Sequence, residues 1–183
     1  MCALNFVTFH VEIEKSDGGP HPNTNLEVDR YVEMIDMMVQ SALKFHPGSG
    51  CTVLTNEATR LEALSSRYSR INYAVRREKM MFDRMVAQFE FVRAYDFTLP
   101  IFLIDSDILI NNSLDLVFQH DFDIGLTWRR NSKMPINGGV IIVNNRRPDA
   151  IRRFFSLFHE IYSKKYADRA DWYGDQYALR DCI

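Results

Sequence analysis

The 183-residue sequence predicts an α/β fold, a three-layer α/β/α sandwich with a mostly parallel central sheet. Strand-like segments alternate with amphipathic helical segments, which is the order of a parallel sheet covered by helices on both faces. The segment 101–104 is apolar at every position, as expected of a central strand that is buried on both sides. The length of the chain fits one compact domain.

Six segments are predicted as strands because they are rich in β-branched, aliphatic and aromatic residues and are bounded by turn-forming residues or helices. They are the segments 4–11, 51–55, 71–75, 101–104, 123–128 and 139–143. Each strand is followed by a helix or a loop, so the chain begins in the order β-α-β-α-β-α.

Apolar residues at helical spacing predict helices over about 28–43 and 82–92 and from about residue 149 onward. A short helical stretch is expected at 58–65. Thr24 and Glu27 have the spacing of a capping box before the first helix, which we expect to stop at His46-Pro47-Gly48. The segment 14–23 is rich in Gly, Pro and Asp and is predicted to be a mobile loop.

The composition excludes several functional classes. The 22 Lys and Arg residues nearly balance the 24 Asp and Glu residues, so no basic surface for nucleic acid is predicted. The three cysteines, Cys2, Cys51 and Cys182, match neither a disulfide framework nor a zinc site. Neither a signal peptide nor a membrane segment is recognisable, which makes a cytoplasmic location the expectation.

An acidic pair follows the most apolar strand. Asp105 and Asp107 come directly after the segment 101–104, and side chains two positions apart in an extended chain project to the same side. Two carboxylates at the end of a buried strand repel each other unless a cation compensates them. Hard oxygen ligands in this number suit Mg²⁺ or Mn²⁺, with water and phosphate oxygens completing the coordination. The alternative is that one Asp caps the next turn while the other is solvated.

Three motifs carry a resemblance to a known family. They are Phe-Leu-Ile-Asp-Ser-Asp-Ile-Leu-Ile at 102–110, Pro-Ile-Asn-Gly-Gly-Val-Ile-Ile-Val-Asn at 135–144 and Gly-Asp-Gln at 174–176. In this order the sequence resembles the nucleotide-diphospho-sugar transferases of the GT-A fold. The pattern is closest to glycosyltransferase family 8, the glycogenin-like and bacterial galactosyltransferase group.

The resemblance implies a metal-dependent glycosyltransferase that moves a sugar from a nucleotide-diphosphate sugar, commonly a UDP-sugar, to a carbohydrate, lipid or protein acceptor. It implies retention of the anomeric configuration and Mn²⁺ or Mg²⁺ as cofactor. It also implies that a single domain spans 1–183, with a nucleotide-binding part over about 1–107 and a sugar and acceptor part over about 108–183. If Asp175 acted as a base on the acceptor, inversion would follow instead.

The resemblance also assigns the site. Asp105 and Asp107 match the metal-binding acidic motif, whereas Asp175, Gln176 and Arg84 match catalytic positions beside the sugar and the donor phosphate. The family's further His ligand has no counterpart before Ile183, so no third protein ligand is assigned. The matched substrate-binding positions are Thr8, Phe9, His10, Arg84, Ser106, Asn137, Gly138 and Gly139.

Simpler or different interpretations stay open at this stage. Asp175 could cap a final helix over 176–182, and the pair Arg129-Arg130 is expected to be solvated. An Asp-x-Asp motif after an apolar strand also occurs in haloacid-dehalogenase-type phosphatases, but there it normally ends the first strand. The glycine-rich signature of sugar-phosphate nucleotidylyltransferases is not found after the first strand. A nucleotide-sugar-binding domain without catalysis is the remaining alternative.

Overall fold

The computed structural model describes residues 2–12, 28–130, 133–167 and 173–183. Its strands and helices account for most of the segments that the sequence predicts. The strands are β1 (Asn5–Phe9), β2 (Gly50–Thr55), β3 (Ser69–Asn72), β4 (Ile101–Ile104), β5 (Ile124–Trp128) and β6 (Ile136–Val143). The helices are α1 (Val28–Phe45), α2 (Met80–Ala94), α3 (Pro148–Lys165) and α4 (Gly174–Asp181).

The strands form one six-stranded sheet in the order β3-β2-β1-β4-β6-β5. β1 to β4 run parallel to one another, whereas β6 is antiparallel to both of its neighbours, β4 and β5. The predicted α/β class with a mostly parallel sheet is confirmed. β4, which the sequence places at the centre, is paired on both sides and all four of its residues are buried.

Helices cover both faces of the sheet and create two apolar cores. On one face α1 packs over side chains such as Phe6 and Val53, together with Phe102 and Ile104 of β4. On the other face α2, α3 and α4 pack over Val7 and the alternate residues of the same strands. Alternation along each strand divides its side chains between the two cores, which gives the three layers.

The predicted helix over 58–65 is wrong. This segment forms turns, and the Asn56 side chain explains how they begin: its Oδ1 accepts hydrogen bonds from the Thr59 N–H at 2.9 Å and from the Thr59 hydroxyl at 2.6 Å. Such local side-chain bonds compete with helical backbone bonds. Leu61 is buried against the α1 face, so the turns still contribute to the core.

Other predictions differ from the structure at element ends or cannot be compared with it. β3 begins and ends earlier than the predicted 71–75, and β6 begins earlier than the predicted 139–143. The mobile loop at 14–23 and the Thr24–Glu27 capping box lie outside the described residues. The division into parts at about residue 107 stays a prediction. None of the described helices has the length and apolar character needed to cross a membrane.

Candidate donor-binding and metal site

The predicted site residues gather at one edge of the sheet. The carboxyl ends of β1, β2 and β4 meet there because these strands are parallel, and β6 begins there because it runs the opposite way. This edge therefore carries the segments 8–10, 105–107 and 137–139. Helices α2 and α4, which pack on the same face of the sheet, contribute Arg84 and the pair 175–176 to this edge.

The acidic motif lies in a turn and not in an extended strand. β4 ends at Ile104, and the Ile108 N–H then bonds to the Asp105 carbonyl oxygen at 3.3 Å. The expectation of an extended chain over 105–107 is therefore wrong, since the chain turns directly after β4. Asp105 is half-buried, Ser106 is half-buried and Asp107 is exposed.

Arg84 ties α2 to the acidic motif. Its Nη2 donates to Asp105 Oδ1 at 2.5 Å and to the Gly138 carbonyl oxygen at 3.3 Å. The Arg84 side chain is only 14% exposed, compared with 37% for Asp105. An ordinary solvated helix charge would be far more exposed, so Arg84 is part of the contact group at this edge of the sheet.

The Asn-Gly-Gly segment forms a bulge of β6 against the acidic motif. Leu126 of β5 pairs with Ile141, but the next residue, Thr127, pairs with Asn137, so three residues of β6 lie between these pairs. The Asp105 N–H donates to the Gly139 carbonyl oxygen at 2.9 Å. The Asn137 side chain accepts the Gly139 N–H at 3.0 Å, which holds the bulge.

Both glycines of the bulge are required by close neighbours. A Cβ on Gly139 would lie 2.6 Å from Asp105 Oδ2, and a Cβ on Gly138 would lie 2.7 Å from Asp175 Oδ2. Real Cβ atoms essentially never lie within 3.0 Å of another heavy atom, so a Cβ at either position would force the neighbouring carboxylate to shift. The missing side chains thus let the bulge contact the acidic motif on one side and α4 on the other.

Asp175 is a buried carboxylate beside this bulge. It is 6% exposed, and burial raises the pKa of its carboxyl. The charge of Asp105 adds to this effect, whereas the charge of Arg84 and the N–H of Gln176 oppose it. Asp175 lies within the first turn of α4, whose N-cap is Tyr173, so it is not the helix cap that the simpler interpretation expected.

Gln176 is held by a residue that the sequence did not single out. Arg129 donates from Nη2 to the Gln176 amide oxygen, and its Nε donates to the Met134 carbonyl oxygen at 2.7 Å. Arg129 is half-buried, whereas Arg130 beside it is exposed. The expectation that both arginines are solvated is therefore wrong for Arg129.

The ends of β1 and β2 carry buried polar atoms that lack partners among the described residues. They are Thr8 Oγ1, His10 Nε2 and Thr55 Oγ1. Thr8 is 1% exposed and Thr55 is 0% exposed. Burial lowers the pKa of His10 to about 4, so its imidazole is neutral at pH 7. Thr55 was missed by the sequence analysis, and only its place at the end of a strand could have indicated it.

The Phe9 ring does not lie beside these polar atoms, because it packs against the apolar core between the sheet and the helices α2, α3 and α4. Thr8 and His10 therefore supply the polar side-chain atoms at the end of β1. Tyr31 of α1 stacks on His10 with ring centroids 6.3 Å apart.

The acidic motif fits a divalent cation that also binds phosphate. Mg²⁺ and Mn²⁺ are commonly held by one or two carboxylates, with substrate phosphates and water completing the shell. Asp105 retains Oδ2 beside its contact with Arg84, and Asp107 is exposed and able to turn toward a ligand. Among the described residues, no third His, Cys or acidic side chain forms a close group of three candidate ligands with Asp105 and Asp107.

A different cluster has the composition of a metal site but is closed by hydrogen bonds. Among the described residues, Cys2, His46 and Asp115 bring one ligand atom each within 4.8 Å. His46 Nε2 accepts the Leu114 N–H at 2.9 Å, so Nδ1 carries the proton and donates to the Cys2 carbonyl oxygen at 3.0 Å. Burial and Asp115 raise the pKa of the Cys2 thiol to about 11. This cluster therefore joins the N-terminal segment to α1 and the loop at 111–116.

Comparison with solved structures supports the fold assignment. The chain aligns with the glycosyltransferase GlyE of Streptococcus pneumoniae TIGR4 at a TM-score of 0.61 and 15% identity. It aligns with the galactosyltransferase LgtC, solved with donor and acceptor sugar analogues, at a TM-score of 0.58 and 16% identity. The bifunctional glycosyltransferase WbbM gives a TM-score of 0.61 and 13% identity. The chain has the fold of these glycosyltransferases.

The alignments cover this chain almost completely but the other chains only in part. They cover 99% of this chain and 43% of GlyE, 96% and 69% for LgtC, and 99% and 37% for WbbM. No protein-family model and no curated protein matches the sequence. The resemblance to nucleotide-diphospho-sugar transferases is thus confirmed in the fold, and the assignment to family 8 stays a prediction.

Proposed function

We propose that this chain is a metal-dependent glycosyltransferase domain that moves a sugar from a UDP-sugar or a related nucleotide-diphosphate sugar to an acceptor hydroxyl, with retention. The observation that carries the proposal is the contact group at the sheet edge, in which Arg84 bridges Asp105 and the glycine bulge while Asp175 lies buried behind it. Its place at the carboxyl ends of parallel strands is where such sheets bind ligands.

The proposed nucleoside position is the end of β1 and β2. Thr8, His10 and Thr55 each bury a polar atom that has no partner among the described residues, and an unmet buried polar atom costs about 1–3 kcal/mol. A nucleobase or ribose carries donors and acceptors that would satisfy these atoms. The neutral imidazole of His10 can donate or accept, depending on its tautomer.

The proposed diphosphate position is the acidic turn together with Arg84. A divalent cation held by Asp105 and Asp107 would supply Lewis-acid stabilisation of the leaving diphosphate. Arg84 adds a fixed positive charge that is held in place before the substrate binds, since it already bonds to Asp105 and to the Gly138 carbonyl oxygen. Fixed charges of this kind stabilise a transition state without reorganising.

The proposed sugar position is formed by Asn137, Asp175 and Gln176. The buried Asp175 carboxylate would stabilise positive charge on the sugar ring, and the amides of Asn137 and Gln176 would bind its hydroxyls. LgtC, whose fold this chain shares, has a glutamine in its active site. No side chain of this group is an evident covalent nucleophile, so a same-face displacement through a short-lived ion pair accounts for retention.

The experiment is an assay of donor turnover with matched arginine variants. The protein is incubated with a panel of sugar nucleotides and Mn²⁺ or Mg²⁺, and released nucleotide diphosphate and the product anomer are measured. Arg84→Met should lower turnover by about a hundred- to a thousandfold. Arg93→Met on the same helix is the control, because Arg93 is exposed and its ion pair with Glu90 and its contact with the Phe89 ring both lie within α2.

Three other outcomes contradict the proposal in different ways. Metal-dependent binding of a sugar nucleotide without any turnover would indicate a binding domain. Release of phosphate from a monoester would indicate a phosphatase. Equal turnover in the Arg84 and Arg93 variants would show that the contact group at the sheet edge is not the active site.

A further inference from the structure

Arg129 connects the end of β5 to the residue that we assign to the sugar. Its backbone N–H bonds to the Pro135 carbonyl oxygen at 2.8 Å, and its Nε bonds to the Met134 carbonyl oxygen at 2.7 Å. These two bonds fix the stem and the plane of the guanidinium. Its Nη2 then reaches the Gln176 amide oxygen, 47 residues further along the chain.

We propose that Arg129 is a positioning residue that orients the Gln176 side chain for transfer, an inference that rests on the proposed function. A guanidinium has five donors and no acceptor, so only the oxygen of the Gln176 amide can face it. The amide nitrogen is thereby left to donate elsewhere. In the proposed sugar position, the Gln176 amide nitrogen would donate its N–H groups to sugar oxygens. Its Oε1 already bonds to the Arg129 guanidinium and is therefore a poor nucleophile.

The neighbouring glycine makes this orientation consequential. A Cβ on Gly138 would lie 3.5 Å from the Gln176 Cγ, so the side chain of Gln176 packs directly against the bulge. Without Arg129, the amide would be free to rotate about its terminal torsion, which has two broad preferences. Loss of the contact should therefore lower the rate of the chemical step and leave ground-state binding of the nucleotide nearly unchanged.

The test compares Arg129→Met with Arg130→Met, which removes the same charge one residue away at an exposed position. Arg129→Met should lower kcat for donor turnover by about ten- to a hundredfold and change KM by less than about threefold. Arg130→Met should leave both within about twofold. In a Gln176→Ala background, Arg129→Met should have little further effect, because the group on which Arg129 acts is gone.

A second measurement does not need turnover. In proton–nitrogen correlation spectra of the full chain, the side-chain amide signal of Gln176 should shift in Arg129→Met and stay in place in Arg130→Met. Arg129→Lys, which keeps the charge and the stem, should shift it in the same direction and by less. The same spectra show whether each variant is folded.

The outcomes separate this inference from the proposed function. An unmoved Gln176 signal in Arg129→Met, or an equal loss of kcat with and without Gln176, would overturn the positioning role. An inactive wild-type protein whose Gln176 signal still depends on Arg129 would refute the proposed function alone, since the orienting contact is then present without transfer.

Discussion

Replacing Gly139 by Ala tests the acidic turn with one methyl group. The new Cβ would lie 2.6 Å from Asp105 Oδ2, so this oxygen must move by about 0.8 Å to reach the 3.4 Å of an ordinary contact. The neighbour is the end of a side chain and can move, so the folded state should lose only about 1 kcal/mol, the low end of overpacking costs. The displacement nevertheless exceeds the tolerance of about 0.2 Å for metal–ligand distances.

Gly138→Ala makes the matched perturbation on the other side of the bulge. Its Cβ would lie 2.7 Å from Asp175 Oδ2 and 3.5 Å from the Gln176 Cγ, away from the acidic turn. We expect Gly139→Ala to weaken Mn²⁺-dependent binding of a nucleotide diphosphate by at least tenfold. We expect Gly138→Ala to leave that binding nearly intact and to lower turnover by about a hundredfold, the cost of a displacement of about 1 Å.

Calorimetry of nucleotide diphosphate binding with Mn²⁺ and an assay of donor turnover distinguish the two variants. Gly50→Ala is the control, because a Cβ there would make only an ordinary contact of 3.8 Å with Asn5 Oδ1. Thermal unfolding reports whether each variant keeps its stability. Equal effects of Gly138→Ala and Gly139→Ala on metal-dependent binding would refute the reasoning, since the two contacts would then not belong to separate parts of the site.

Three further changes test other parts of the structure. Asp107→Ala should remove the Mn²⁺-dependent binding of a nucleotide diphosphate. Unchanged affinity of this variant, or tight binding by the wild-type protein in the presence of a chelator, would contradict the metal bridge. Gly174→Ala should destabilise the fold by about 1–3 kcal/mol in thermal or urea unfolding, because its Cβ would lie 2.8 Å from the buried ring of Tyr162, which cannot move aside. Because burial lowers the pKa of His10 from 6.5 to about 4, the unfolded chain binds more protons between these pH values, and stability should fall by roughly 3 kcal/mol as the pH falls from 6.5 to 4. His10→Phe should remove that part of the pH dependence, and an unchanged profile of unfolding free energy against pH would exclude His10 as its cause.

The strands were predictable where the sequence signal is local. β4 has the predicted bounds because four consecutive apolar residues can be buried on both faces only in a covered strand. The direction of β6 was not predictable, since its alternation of side chains is the same in a parallel and an antiparallel pair. Two adjacent glycines are compatible with the bulge over 138–140, but its contact with Asp105 depends on β6 lying beside β4.

The failure at 58–65 has a different cause. Helical spacing of a few apolar residues is weak evidence in a short segment, and Asn56 offers local bonds that compete with a helix. Contacts distant in sequence also hold this segment: Arg60 bonds to Glu12, and Ser65 bonds to Asp36 of α1. Such bonds form only after β1 and α1 have packed, so the pattern of the segment itself does not contain them.

The site shows the same division between residue identity and residue pairing. Asp105 and Arg84 were assigned from motifs, whereas the role of Arg129 depends on a contact with Gln176 that the sequence does not encode locally. Arg129 and Arg130 are chemically identical neighbours, and side chains of successive residues in an extended segment point to opposite sides. Which of them faces inward is decided by where α4 packs beside β6. A shift of one residue in the pairing at the end of β5 would turn Arg130 toward Gln176 and expose Arg129, so the pairing of Trp128 with Ile136 sets the orientation of the Gln176 amide.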